Sequence, residues 1–260
     1  MSSAEEQFEA GWEGRNATKD VLRHKVWQQL ADSGDARDPG GPFHKIPDFE
    51  GASAAVERLR QLPMWKNAKV VKSNPDPPQA FLRKAALEDG KKVYTPVPCL
   101  THDFPFLLLD PEELFQKKNL KAEDVMYSEG AMEHGKRVDF KDMEEMDICV
   151  VGSVAVTPTG GRTGKGGGFA DLELGIFRHY GTFRSGVTPC VTIVHPVQVV
   201  DNDEIVMEEH DTPLDYIVTA ERIIETKTQY SQPGPLQWDK LQPDQYENIP
   251  FLKTLRLELE

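Results

Sequence analysis

Apolar and polar positions repeat along this chain with two periods, one helical and one strand-like. Leu22, Val26 and Leu30 recur at i, i+4 and i+8, the buried stripe of an amphipathic helix. Thr18 is a suitable cap for its start. Ala55, Val56, Leu59 and Leu62 predict a second helix over about 52–62, and a third is expected over about 78–88, ended by Gly90. Short apolar runs rich in β-branched and aromatic residues fall between and after them, at 68–72, 93–95, 106–109, 147–151, 191–194, 215–219 and 222–225. These read as strands. Asp110-Pro111-Glu112-Glu113 predicts another helix start, with a capping aspartate, proline in the first turn and two acids at the positive end of the dipole. The polar stretch 117–142 has no period that assigns it.

Strands alternating with helices predict an α/β fold, a three-layer sandwich with a largely parallel central sheet. Residues 1–15 read as a flexible acidic lead-in and 16–227 as a single α/β domain. Residues 228–260, rich in proline and polar residues and closed by Ile249-Pro250-Phe251-Leu252, read as a C-terminal tail packed on that domain.

Composition narrows the function classes. At 260 residues with 38% hydrophobic and 28% charged residues, the chain has enough apolar material for one large α/β core. A net charge of −13 and a pI near 5.1 argue against a general nucleic-acid binder. Cys99, Cys149 and Cys190 stand far apart, two of them in apolar runs. They form neither a disulfide framework nor a zinc pattern, and read as buried thiols in a reducing compartment. The acidic first residues lack the apolar core of a signal peptide, and no apolar run reaches the 18 or so residues of a membrane span. The expectation is a cytoplasmic protein without a membrane partner, its oligomeric state left open.

The richest chemistry lies in Gly160-Gly161-Arg162-Thr163-Gly164-Lys165-Gly166-Gly167-Gly168-Phe169-Ala170-Asp171. It follows the apolar run 147–151 and leads into a helical stretch from Leu172 to Tyr180. Glycines at 164, 166, 167 and 168 allow backbone N–H groups to close on an anion, and the following helix aims its positive end at the same place. Arg162 and Lys165 add cations, and Asp171 adds a carboxylate suited to a divalent metal. Neither common phosphate loop fits. A Walker A loop ending at Lys165 needs glycine at 159 and Ser or Thr at 166, where the chain has Thr159 and Gly166. A dinucleotide fingerprint fails on Phe169 or Asp171, according to where it starts. In open parallel sheets ligands bind outside the carboxyl ends of the strands, the end from which this loop is expected to leave.

Other groups carry less. Lys19 and Arg23 share a helix face, as a solvated pair or as an anion site. His195, between a strand and Pro196, reads as a structural histidine. His102-Asp103 has no metal partner at a recognisable spacing. No G-x-S-x-G elbow is present.

The stretch 147–171 resembles the signature of the 5-formyltetrahydrofolate cyclo-ligase (methenyltetrahydrofolate synthetase) family, in which a hydrophobic strand is followed by R-x-G-x-G-x-G-Y-Y-D. Lys19-Asp20-Val21-Leu22-Arg23 resembles the family's N-terminal K-x-x-L-R helix, and Gln198 with 209–215 resembles its closing block. The features at 44–51 and 150–156 are similar to a divergent branch that includes the methenyltetrahydrofolate synthetase domain-containing proteins.

The resemblance implies a cyclo-ligase-like fold, ATP, Mg2+ and a folate or related heterocycle as small-molecule substrate. It implies nucleotide contacts from Lys19, Arg23, Arg162, Gly164, Lys165, Gly166, Gly167 and Gly168, with Arg162 and Lys165 in catalytic roles. Phe169 and Gln198 are expected at the substrate, and Asp171 and Asp211 at magnesium. Two departures bear on the substrate. The Tyr-Tyr pair is Phe169-Ala170, and the turn 73–79, where the family has a substrate-contacting glutamate, holds Asp76 as its only acid. A non-catalytic nucleotide- or folate-binding regulatory protein therefore stands as the alternative.

Overall fold

The computed structural model describes residues 12, 14–100 and 105–259; His102-Asp103 and the side chain of Cys99 lie outside what is described. The chain opens with α1 (Ala17–Ser33), α2 (Ala52–Arg60) and α3 (Pro63–Asn67), followed by β1 (Val70–Ser73), α4 (Ala80–Glu88), β2 (Lys92–Pro96) and β3 (Phe106–Leu109). Helices α5 (Ala122–Val125) and α6 (Ser128–His134) precede β4 (Lys136–Val138) and β5 (Ile148–Val150). A hairpin of β6 (Ala155–Val156) and β7 (Arg162–Thr163) leads to α7 (Phe169–Tyr180), then β8 (Cys190–Ile193), β9 (Tyr216–Val218) and β10 (Ile223–Glu225). Two helices, α8 (Pro243–Asn248) and α9 (Phe251–Leu259), close the chain.

Eight strands form one sheet in the order β10-β9-β8-β5-β1-β2-β3-β4. The five central strands from β9 to β2 are mutually parallel, and β10, β3 and β4 pair antiparallel at the edges. This is the largely parallel α/β sheet expected from the alternation of strand and helix patterns.

Side chains leave a strand alternately to its two faces, and β5 shows the result. Ile148 and Val150 join a core with Ala55, Leu59, Leu82 and Ala86 of α2 and α4. Cys149 and Val151 join a second core with Leu174 and Phe177 of α7 and with Ile249, Leu252 and Leu255. Cys149 is in register with Cys190 on β8. Burial pushes the Cys149 thiol up to about 11 and also raises Cys190, so both are inert packing groups.

Several local expectations are corrected. Asn16, two residues earlier than Thr18, caps α1 by accepting from the Lys19 N–H. The helix start at Asp110 becomes a single π-helical turn over Glu112–Lys117, with Asp110 Oδ1 accepting from Glu112 N at 3.0 Å. The unassigned stretch 117–142 folds into α5, α6 and β4. Instead of leaving β5 directly, the glycine loop is separated from it by the β6–β7 hairpin.

Both ends of the described chain return to the glycine loop. Trp12 is buried, its ring 5.3 Å from that of Phe169, so residues 12 and 15 of the expected loose lead-in pack on the loop. Leu236 N donates to the Gly175 carbonyl at 3.1 Å, fixing the tail to α7. Beyond it, Ile249, Leu252 and Leu255 enter the core as one face of helices.

Candidate active site

A cleft of ≈ 260 Å³ opens where the glycine loop, the start of α7, the N-terminus of α1 and the tail meet. It gathers Lys19, Arg23, Arg162, Gly164 to Phe169, Asp171 and Asp211, all of which line it. Eleven of the twelve residues expected from the sequence are therefore brought together.

The loop shape needs its glycines at two positions in particular. Gly166 has φ +117° and Gly168 φ +70°, values that side chains with a Cβ disfavour. A Cβ at Gly168 would also stand 3.1 Å from the Gln245 amide nitrogen. Gly168 caps α7, so the unsatisfied N–H groups of the first helical turn point toward the loop.

Charged groups at the loop are paired with one another. Arg162 Nη2 donates to Asp171 Oδ2 at 2.5 Å and Nη1 to the Gly152 carbonyl at 3.1 Å. Its Nε is buried and has no partner among the described residues. Burial works against the Arg162 charge, but the Asp171 carboxylate outweighs it and holds the guanidinium above its usual range. Lys19 Nζ lies 2.6 Å from Asp211 Oδ2, which also accepts from Glu208 N. Asp171 Oδ1 accepts from Thr212 N at 2.9 Å, linking the two carboxylates through one peptide. Lys165 Nζ sits 4.9 Å from the Trp12 ring centre, a cation–π arrangement.

Arg23 is turned mainly onto the loop. Its Nε donates to the Gly164 carbonyl at 2.7 Å and its Nη2 to Thr163 Oγ1 at 3.1 Å, while Nη1 bonds Asp20. Burial lowers its pKa. Gln198 corrects the sequence expectation outright, for it does not line the cleft. Its Nε2 donates to the carbonyls of Ser153 and Val154 at 2.9 and 3.1 Å, and its Oε1 accepts from His195 N at 2.7 Å. A buried amide with its hydrogen bonds already made fixes backbone and has little left for a ligand. His195 is the structural residue expected: Nδ1 accepts from Val197 N and Nε2 lies 3.3 Å from Asp35.

The inner wall was the part missed from the sequence. Lys72 on β1 and Glu173 on α7 are both buried, with Nζ 2.6 Å from Glu173 Oε2 and 2.6 Å from Asn74 Oδ1. Burial holds the Glu173 carboxyl above its usual range even against the pull of Lys72. On Lys72 burial pulls downward, and the carboxylate opposite more than cancels it. Contact between ammonium and carboxyl at this distance is an ion pair, and it crosses from sheet to helix. A signal existed: Lys72 continues the strand run directly after Val70-Val71, and Glu173 stands between Leu172 and Leu174. Charges inside apolar runs are rarely buried unless paired.

Asp76 also lines the cleft, and burial raises its pKa despite Lys165, Arg83 and Lys72 nearby. Arg83 shapes this turn. Its buried guanidinium donates to the carbonyls of Asn74, Pro75 and Asp76, and to Met126 at 2.7 Å. Burial lowers it to about 10.

Magnesium favours one or two carboxylates completed by phosphate oxygens and water. Asp171 and Asp211 are donors of that kind, while the buried Arg162 Nε is an unmet donor suited to phosphate. Among the described residues no group of three His, Cys, Asp or Glu forms a protein-only metal site. The residues fit a metal shared with a phosphate. No helix among the described residues is long and apolar enough to cross a membrane.

Fold and site together define an α/β protein with a cleft built on a glycine loop and a helix N-terminus, with paired charges on either side. A family model described as the 5-formyltetrahydrofolate cyclo-ligase family matches residues 15–220, and the chain belongs to that family. It is 36% identical over 243 residues to a methenyltetrahydrofolate synthase domain-containing protein of Bos taurus, covering 94% of this chain and 63% of that protein. The Danio rerio protein of the same name is 36% identical over 239 residues, covering 92% and 62%. The chain thus spans less than two-thirds of the length of these relatives. A 5-formyltetrahydrofolate cyclo-ligase of Escherichia coli K12 is 30% identical over 141 residues, covering 52% of this chain and 67% of that protein. The NMR structure of an Aquifex aeolicus 5,10-methenyltetrahydrofolate synthetase covers 82% of this chain and 95% of that one, with a TM-score of 0.50 and 18% identity. That likeness supports the fold.

Proposed function

We propose that the protein is an ATP- and magnesium-dependent cyclo-ligase acting on 5-formyltetrahydrofolate or a closely related heterocycle, with release of ADP and phosphate. The observation that carries the reading is the cleft in which Lys19–Asp211 and Arg162–Asp171 flank the glycine loop at the start of α7. Phosphoryl transfer needs positioning and charge neutralisation more than a protein nucleophile.

In this reading the glycine loop and the α7 N-terminus cradle the phosphates of ATP. Arg162 and Lys165 neutralise charge that develops on the transferred group, with Lys19 alongside. Asp171 and Asp211 hold magnesium, which supplies further neutralisation of phosphate charge. Phosphorylation of the formyl oxygen makes it a leaving group; N10 then closes the ring and phosphate departs. Asp171 and Asp211 would hold the metal, and Arg162 and Lys19, which pair with these carboxylates in the free protein, would turn toward phosphate.

Asp76 supports a folate-like heterocycle as the occupant of the cleft. The acid in turn 73–79 is shorter than the family's glutamate, yet its carboxyl lines the cleft, so a partner for heterocycle N–H donors is retained. Phe169, which also lines the cleft, supplies an apolar edge.

The test is ADP release from magnesium-ATP with 5-formyltetrahydrofolate, read together with absorbance of the methenyl product. Stoichiometric ADP and methenyl product are expected. Calorimetric ATP binding without ADP release for any folate tested would move the protein to the regulatory class.

A further inference from the structure

The carbonyl oxygens of the glycine loop are held by side chains from outside it. Arg23 Nε donates to the Gly164 carbonyl at 2.7 Å. Arg15 Nη1 reaches those of Gly166 and Gly167, each at 3.4 Å. Gln245 Nε2 donates to Gly167 O at 2.6 Å, while Gln245 Oε1 accepts from Gln242 N at 2.9 Å. Gln245 is buried and belongs to α8, in the tail beyond the residues that the family model matches. Arg15 is itself ion-paired with Asp244, the residue before Gln245. Segments more than two hundred residues apart in sequence therefore meet on one face of one loop.

A trans peptide is planar, with its C=O and the following N–H pointing in opposite directions. Fixing the Gly167 carbonyl on Gln245 turns the Gly168 N–H away from that clamp, and fixing the Gly164 carbonyl on Arg23 does the same for the Lys165 N–H. A four-glycine loop has much backbone freedom to lose when it closes on an anion. Restraint of its carbonyls in the free protein removes part of that loss before binding.

We propose that Gln245, supported by the Arg15–Asp244 ion pair, is a positioning residue that presets the glycine loop for a polyphosphate, so that the C-terminal tail sets anion affinity. The polyphosphate in this statement rests on the function proposed above; the restraint of the loop does not.

Three measurements on the full chain separate the two. Gln245→Leu removes the donor and keeps the bulk, and Gln245→Asn shortens it; Asp244→Asn breaks the ion pair at the surface. Affinity for magnesium-ATP and for inorganic tripolyphosphate is read by calorimetry, together with the split between KM for ATP and kcat. Hydrogen exchange of the loop amides is followed in the absence of ligand. Loss of one neutral hydrogen bond predicts about tenfold weaker binding of both probes in Gln245→Leu, with KM for ATP raised similarly, kcat at saturation nearly unchanged and faster loop exchange. Asp244→Asn is expected to weaken both probes two- to threefold. If Gln245→Leu fails to fold, Gln245→Asn carries the same expectation at smaller size. Wild-type affinity and loop exchange in folded Gln245 variants would overturn the inference. Faster loop exchange in a protein that binds neither probe would leave the restraint standing, and would overturn the polyphosphate role along with the function proposed above.

Discussion

The loop end and the inner wall of the cleft both use pairs of opposite charge, in two different settings. At the loop, the side chains of Lys19 and Asp211 are 12% and 10% exposed, and those of Arg162 and Asp171 5% and 12%. At the wall, Lys72 and Glu173 are 0% and 2% exposed. A phosphate and a metal reaching the cleft can exchange partners with the first two pairs, giving the cations an anion and the carboxylates a metal. No ligand gains by opening the third, because each charge freed there would remain in a low-dielectric interior. One set of pairs therefore faces whatever enters the cleft, and the other ties β1 to α7 beneath it.

Breaking the sealed pair should have the largest effect. Lys72→Met leaves Glu173 buried without its cation and is expected to lower the unfolding free energy by about 3–5 kcal/mol, measured by denaturant titration. The double variant Lys72→Met/Glu173→Leu should recover most of that loss, since apolar replacement of a buried pair is often neutral. A double variant as unstable as the single would mean that the pair is worth more than its shape.

Arg162→Ala comes next and acts on function. Removing one preorganised donor aimed at charge that develops in a transition state typically costs about 10²–10³ in rate, to be read as kcat/KM for ADP release. Stability should fall less than in Lys72→Met, because Asp171 retains the Thr212 N–H and its side chain is partly exposed. Equal loss of stability in the two variants would erase the distinction between the two ends.

The same contrast explains what was legible in the sequence. Strands and helices followed from local apolar period, and the loop from its glycines, cations and acid, which lie within ten residues. The Lys72–Glu173 pair joins positions one hundred and one apart, so each charge was visible as an anomaly without its partner. Gln198 was misplaced because a motif position gives no side-chain direction: its amide turned to backbone. The tail helices were obscured by prolines at 233, 235, 243 and 250, which start helices as readily as they break chains. Trp12 and Gln245 act only through the folded loop, and no local pattern announces that.

Asp76 stands between the two settings and gives the smallest of these effects. It lines the cleft like the loop carboxylates, yet among the described residues no cation is recorded in ion-pair contact with it, and burial holds its pKa above the ordinary carboxylate range. A carboxyl with a raised folded-state pKa binds its proton more tightly in the native protein than in the unfolded chain. It therefore costs stability as pH rises from the unfolded value through the folded one, and the full cost is present above that window. Asp76→Asn removes the charge and should stabilise the protein at pH 7 to 8 by about 1 kcal/mol, the scale of an ordinary single substitution. The gain should shrink toward zero as pH falls below the ordinary carboxylate range, where both side chains are neutral. If the carboxylate grips the heterocycle, the same variant should raise KM for the folate while leaving ATP affinity unchanged. A variant that is more stable near neutral pH and weaker only toward the folate would identify Asp76 as a charge kept unpaired for a ligand. Unchanged folate KM together with the stability gain would make it a half-buried carboxylate without a binding role.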